Sequence, residues 1–213
     1  MTESPHIIKL GGSLLDLPDL VARFESFRTA QVTGPALLVT GGAESAEVVR
    51  YFDKHFHLDE EQGHWLAVRA MQLNAHLVAA VLPASRIVCD EGEANAAWAA
   101  GAMAVMDPLE WLRREEARGV CVPHRWSFTS DSIAAHVATQ LRAQRLTLVK
   151  SRLPAGGPNP GPLPKGEGVE HAAAEGFVDR DFPQASAMIP SIDLINLRHS
   201  PSPAEPAARR ILK

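Results

Sequence analysis

At 213 residues the chain can bury a full core, as one domain or as one domain with a mobile insertion. It is 46% hydrophobic and 22% charged, ordinary for a soluble globular protein, and its net charge of −4 argues against nucleic-acid partners, which a basic face would hold. Cys89 and Cys121 lie far apart without CxxC spacing, and no stretch reaches the ~20 apolar residues of a membrane span. The expectation is therefore a reducing, cytoplasmic setting, with no zinc site, no disulfide and no membrane association.

Met1 to His6 has neither a basic segment nor a long apolar run, so no leader is expected. His6-Ile7-Ile8-Lys9-Leu10 reads as a short buried strand holding one lysine, and Gly11-Gly12-Ser13 turns it into an amphipathic stretch. Such a turn is a potential anion site. Glycine lets backbone N–H groups approach phosphate oxygens closely, and a helix N-terminus adds partial positive charge. Leu17 to Phe27 has helical spacing. Pro35 to Val39 reads as a second strand, ending in a second turn at Gly41-Gly42, with a helix from Ala43 to Phe52. Two such turns close in sequence suggest two anionic groups held face to face. Parallel strands need crossover helices, so this order favours a parallel α/β sheet.

The longest helical signal runs from about Glu60 to Val81. Leu66, Ala70, Leu73 and Leu77 form one row on it, with Ala67, Met71, Asn74 and Val78 adjacent. Asn74 is either a buried amide bonded to backbone or a polar group in a pocket wall. Arg86 to Asp90 and Ala102 to Met106 read as strands flanking an alanine-rich helix at Ala94 to Ala100. Asp107-Pro108 opens a helix through Arg114, as N-cap and first helical position. After a turn at Pro123 to Phe128, Thr129-Ser130-Asp131-Ser132 heads a helix over Ile133 to Leu141, and Leu146 to Lys150 is a further strand. Proline and glycine fill Pro154 to Gly168, which predicts a flexible insertion without regular structure, either a surface excursion or a flap beside the site. Order resumes at Gly176 to Phe182, and Ser191 to Leu197 reads as a last strand before a proline-spaced tail from Ser200 to Pro206. The alternation predicts a three-layer αβα sandwich with a mainly parallel central sheet, as a single domain over residues 1–213.

Lys9 could simply snorkel to the surface. Two residues before paired glycines at a strand's C-terminal end, however, it points into the crevice where α/β sheets bind ligands. Neither a Walker A loop nor a GxGxxG fingerprint is present. Any of the four polar residues from Thr129 to Ser132 could cap the helix, yet four exceed what one helix needs. Asp131 could instead orient Lys9 or Lys150 by ion pairing beside a phosphoryl group. Ser13 suits a phosphate hydrogen bond better than a nucleophile's role, having no partner base. His55, His57 and His64 lack the carboxylates or cysteines that would complete a metal set, and are expected at the surface.

With those residues in view, the chain resembles the amino acid kinase superfamily, which includes acetylglutamate, carbamate, aspartate and uridylate kinases. The resemblance rests on Ile8 to Ser13, Val39 to Gly42, Thr129 to Ala135 and Leu148 to Ser151, in order. Within that superfamily it is most similar to the small archaeal-type kinases of methanofuran synthesis, which phosphorylate an aminomethylfuran-methanol phosphate. His64 to Met71, Asn74-Ala75, Trp126 to Ala135 and Gly176 to Asp179 carry that narrower similarity. The resemblance implies an ATP-dependent phosphotransferase with Mg²⁺ accompanying the nucleotide, a small-molecule acceptor, and self-association into a homo-oligomer. It further implies Lys9, Asp131 and Lys150 as the catalytic group. Gly11, Gly12, Ser13 and Ser151 would lie at the nucleotide phosphates, and Gly41, Gly42, Asn74, Thr129 and Ser130 at the acceptor. The alternative is a non-catalytic member, a binding or scaffold subunit linked to tetrahydromethanopterin one-carbon metabolism. Where many relatives carry an Asp-Val-Asp-Gly sequence after the strand, this chain has Lys150-Ser151-Arg152-Leu153, and Lys165 is its candidate for their later lysine.

Overall fold

The computed structural model describes residues 4–153 and 161–199. Its centre is a seven-stranded sheet in the order β3-β4-β2-β1-β5-β7-β6. The strands are β1 (His6–Leu10), β2 (Ala36–Thr40), β3 (Ser85–Val88), β4 (Met103–Met106), β5 (Arg145–Lys150), β6 (Gly161–Pro162) and β7 (Ser191–Asn196). All neighbours pair in parallel except β6 with β7. The helices are α1 (Leu20–Gln31), α2 (Ala43–Phe56), α3 (Glu60–Val81), α4 (Glu91–Ala99), α5 (Pro108–Ala117), α6 (Ser130–Gln140), α7 (Glu167–Ala174) and α8 (Phe182–Ser186). β1 is central, with β2 on one side and β5 on the other, so the chain's connections diverge at its C-terminal end. Ligands of open α/β sheets bind in the crevice at such a point.

Strand alternation divides the core into two. Ile7, Leu37, Val39, Leu146 and Leu148 face a cluster that includes Ile133, Ala134 and Val137 of α6. Ile8, Leu10, Leu38 and Val149 face the other way, with Phe24 and Phe27 of α1 and Val78 of α3. The two clusters on opposite sides of one sheet are the three layers expected.

Local chemistry sets the helix ends. Asp107 caps α5 through the Glu110 amide at 3.0 Å, with Pro108 at its first position. Asp59 and Gln62 form a capping box on α3. On α3 the row of Met71, Asn74 and Val78 turns inward, whereas Leu66, Leu73 and Leu77 are exposed. The leucine row, although the more hydrophobic, lies on the far side of the contact with the sheet. Of the stretch read as irregular, residues 154–160 lie outside the described residues, as does the tail from 200 onward. Gly161–Pro162 pairs antiparallel with β7, and α7 already begins at Glu167. Proline survives there because an edge strand tolerates its missing N–H.

Candidate functional site

The two glycine turns are neighbours because β1 and β2 are. The Gly41 amide donates to the Leu10 carbonyl at 2.9 Å, and that of Gly11 donates to the Val149 carbonyl at 2.8 Å. A Cβ on Gly12 would sit 2.4 Å from the Ala43 nitrogen, and one on Gly41 would sit 2.7 Å from the Gly12 nitrogen. Backbone thus meets backbone, and only glycine fits at either position. Ala43 itself holds φ 48°, a left-handed conformation unfavourable for a residue with a Cβ. Among the described residues no hydrogen bond engages the amides of Gly12, Ser13, Gly42 or Ala43. They gather at the N-terminus of α2, whose dipole favours an anion. We expect Gly12→Ala to destabilise the fold by about 1–3 kcal/mol, measured by urea denaturation.

Directly alongside lies a buried charge cluster. Ile7 and Lys9 on β1 and Leu148 and Lys150 on β5 share the sheet face towards α6, because Lys9 pairs in register with Leu148. Asp131, in the first turn of α6, meets both cations. One carboxylate oxygen is 2.9 Å from Lys9 Nζ, and the other is 2.7 Å from Lys150 Nζ. The three side chains are 6%, 14% and 7% exposed for Lys9, Lys150 and Asp131, so water screens them little. Burial alone would raise the Asp131 carboxyl, but the ammonium groups of Lys150 and Lys9 outweigh it and hold it at about 2. Burial pushes the Lys150 ammonium down to about 8, a shift that the Asp131 charge partly offsets. Lys150 also donates to the Phe177 carbonyl at 2.7 Å.

The remaining expected site residues fall around these two features. Ser13 and Ser151 share a hydroxyl–hydroxyl hydrogen bond of 2.8 Å at the open side. Asn74 Nδ2 donates to the Gly41 carbonyl at 2.8 Å, so it acts on the turn as a buried amide bonded to backbone. Ser130 Oγ would be 3.4 Å from a Cβ on Gly41. Thr129 Oγ1 donates to Asp179 at 2.8 Å. A cavity of about 280 Å³ opens beside Gly41 and Gly42, with Thr129 and Ser130 in its wall. Arg50, Arg125 and Trp126 add cations and an aromatic surface.

Two expectations require correction. His55 and His57 are exposed as anticipated, but His64 is only 2% exposed, stacked on His124 with ring centroids 5.1 Å apart. It faces inward on α3, next to the inward-facing Val68. Lys165 lies beside Ile192 at the start of β7, whereas Lys9 and Lys150 sit at the C-terminal ends of their strands. The antiparallel turn of β6 carries the chain away from the crevice, so Lys150 and not Lys165 accompanies Lys9.

Sequence reasoning did not single out Asp179, Arg50 or Arg125. Asp179 follows an apolar pair, with Asp181 two residues on, and its importance depends on which loop it meets. Among the described residues no group of three or more His, Cys, Asp or Glu could hold a metal ion. No helix of those residues is long and apolar enough to cross a membrane. The free amides and paired cations suit the phosphates of a nucleotide. Asp131 and Asp179 are already bonded to lysines, hydroxyls and amides, and Glu47 pairs with Arg50, whereas Glu44 lines the cavity beside Gly42. Without a group of three such ligands among the described residues, an ion such as Mg²⁺ would be held chiefly by the nucleotide's phosphates and water.

Comparison with known proteins bears on the same residues. The sequence model of the amino acid kinase family matches residues 5–151, which include every residue of the charge cluster and both glycine turns. A [5-(aminomethyl)furan-3-yl]methyl phosphate kinase of Methanocaldococcus jannaschii is 25% identical over 158 residues, covering 67% of this chain and 64% of that protein. The match thus spans slightly under two thirds of the relative's length. Uridylate kinase from Archaeoglobus fulgidus superposes with a TM-score of 0.58 at 17% identity, covering 89% of this chain and 90% of the other. UMP kinase from Bacillus anthracis superposes with a TM-score of 0.60 at 12% identity, covering 97% and 90%. At such identities these structures speak for the fold.

Proposed function

The chain belongs to the amino acid kinase family, and from that premise we propose that it is a kinase moving the γ-phosphoryl group of ATP to a small phosphate or carboxylate acceptor. The observation that carries this reading is one buried aspartate shared by two lysines, set against two contacting glycine turns with free amides. Phosphoryl transfer needs positioning and charge neutralisation rather than covalent chemistry from the protein. The amides of Gly12 and Ser13, with Gly11 shaping the turn and Ser151 beside it, would hold the donor phosphates. The amides of Gly42 and Ala43 would hold the acceptor end, with Gly41 fixed by Asn74 and flanked by Ser130 and Thr129. Lys9 and Lys150 would contact the transferred group from the sheet, while Asp131 keeps both in place. Bound with the nucleotide, Mg²⁺ would offset phosphate charge.

The acceptor named for the Methanocaldococcus relative, [5-(aminomethyl)furan-3-yl]methyl phosphate, is the first to test. Its size suits the cavity beside Gly42, where Trp126 offers a flat apolar surface and Arg50 and Arg125 offer cations. A cytoplasmic setting, where ATP is available, goes with this reading, and so does treatment of residues 1–213 as one domain. Self-association would use the exposed apolar side chains of α2 and α3, among them Tyr51, Phe56, Leu73 and Leu77.

The test is acceptor-dependent ADP release from ATP·Mg²⁺, followed against pH. We expect kcat/KM, which reports the free enzyme, to fall above about pH 8 as Lys150 loses its proton. Nucleotide binding without any acceptor-dependent turnover would overturn the kinase reading. The absence of nucleotide-dependent heat in calorimetry would favour the non-catalytic scaffold instead.

A further inference from the structure

The segment from Phe177 to Asp181, between α7 and α8, touches the charge cluster, the head of α6 and the turn before it, without itself reaching the glycine turns. The Phe177 carbonyl accepts from Lys150 Nζ at 2.7 Å. Asp181 accepts from Arg125 at 2.8 and 3.1 Å and from Ser127 Oγ at 2.7 Å, holding the strand of chain that carries Trp126. Between them, Asp179 lies against the N-terminus of α6. Its carboxylate accepts from the Thr129 amide at 3.1 Å, the Thr129 hydroxyl at 2.8 Å, the Ser132 amide at 2.9 Å and the Ser132 hydroxyl. Thr129, the N-cap residue, makes no side-chain cap of its own. An acid fifty residues distant in sequence does that work.

This is more than a cap requires. Four donors converge on one carboxylate, on both sides of Asp131, so the first turn of α6 cannot rotate without breaking them. That turn decides whether each Asp131 oxygen faces a lysine. Burial, and then the negative charge of Asp131, push the Asp179 carboxyl up from its ordinary value. The hydrogen bonds from Ser132 and Thr129 at the N-terminus of α6 oppose that cost, and the Asp179 charge in turn acts upward on the nearby Lys150 ammonium.

We propose that Asp179 is a positioning residue of the phosphoryl-transfer site: it locks the first turn of α6 so that Asp131 engages Lys9 and Lys150 together. The inference rests on the kinase reading for its consequence in turnover, but not for its geometry. Among the described residues, the charged groups facing Lys150 are Asp131 from α6, Lys9 from β1 and Asp179 itself, with Arg152 stacked over the neighbouring Phe177 ring at 5.0 Å.

Asp179→Asn keeps the shape and one acceptor oxygen, and removes the charge and the second acceptor, which here takes the Ser132 hydroxyl or the three remaining donors. In the full chain labelled with ¹³C at lysine Cε, Lys150 is expected to titrate at least about half a unit lower in this variant than in wild type, because Asp179's charge and part of Asp131's hold are both lost. With [5-(aminomethyl)furan-3-yl]methyl phosphate as the acceptor, kcat should fall about 10- to 100-fold with acceptor KM unchanged, and Asp179→Glu should restore the Lys150 titration. An unmoved Lys150 titration in Asp179→Asn would overturn the proposal and leave Asp179 a helix cap. So would a rise in acceptor KM at constant kcat. Should Asp179→Asn fail to fold, Lys150→Met supplies the reciprocal measurement, since coupled groups shift each other. The Asp179 carboxyl, observed by ¹³C, should then titrate higher than in wild type, and an unchanged value would overturn the proposal. Neither NMR titration needs turnover, so loss of the kinase reading and loss of this one are separately visible.

Discussion

Replacing Lys9 with methionine is expected to lower kcat for acceptor-dependent ATP turnover by about 10²- to 10³-fold, the usual cost of removing one preorganised charge-stabilising donor. The fold should lose little. Methionine fills much of the volume, and Asp131 keeps its ion pair with Lys150 at 2.7 Å. Activity and stability therefore separate in this variant, and urea denaturation beside steady-state kinetics makes the comparison. If Lys9→Met turned over at the wild-type rate, a lysine only 5% exposed would have no part in the chemistry, and the transfer site would have to be sought elsewhere.

Asp131→Ala should do the reverse, acting first on the fold. It leaves two ammonium groups side by side on the sheet with their shared partner gone. Breaking a buried pair by removing one member typically costs about 3–5 kcal/mol, much of it from the charge left uncompensated. The pH dependence identifies the cause. In wild type the Asp131 carboxyl titrates at about 2 against an ordinary 3.8. Its contribution is thus complete above about pH 4 and lost as pH falls through about 2. The Ala variant should lack that acid-side loss. Wild type gains stability as pH rises above about 8, where Lys150 sheds its proton in the folded state while the unfolded chain, near 10.5, still binds one; without Asp131, which raises the Lys150 value, that gain should begin at lower pH in the variant. Denaturant midpoints across pH 2 to 10 for both proteins provide the measurement. A variant whose stability simply tracked wild type at every pH would show that the three charges are not coupled.

Much of this was readable from the chain itself. Alternation of short apolar runs with helical spacing foretold the layered sheet, because parallel strands cannot be joined without crossovers. Lys9 and Lys150 could be paired in advance, since each ends a strand-like run. Asp131 stood out among four capping residues where one would do. Which of the two adjacent rows of α3 meets the sheet was left open, because hydrophobicity alone does not decide it. His64 did mislead, with the surface assumed where α3 in fact turns it inward. Lys165 misled because an antiparallel edge strand reverses the chain's direction, which composition cannot reveal.

Residue order alone therefore settled what is local: strand and helix periods, the two glycine bends, and the types of charge available near them. Those depend on side-chain spacing and backbone freedom within a few positions. Contact between Gly12 and Ala43, the bridging of Lys9 and Lys150 by a single carboxylate, and the grip of Asp179 on α6 were decided by the tertiary structure. Each joins segments about 20 to 120 positions apart. Distances that long in sequence become short only when sheet register and helix packing bring the segments together, and burial then gives the assembled charges their strength.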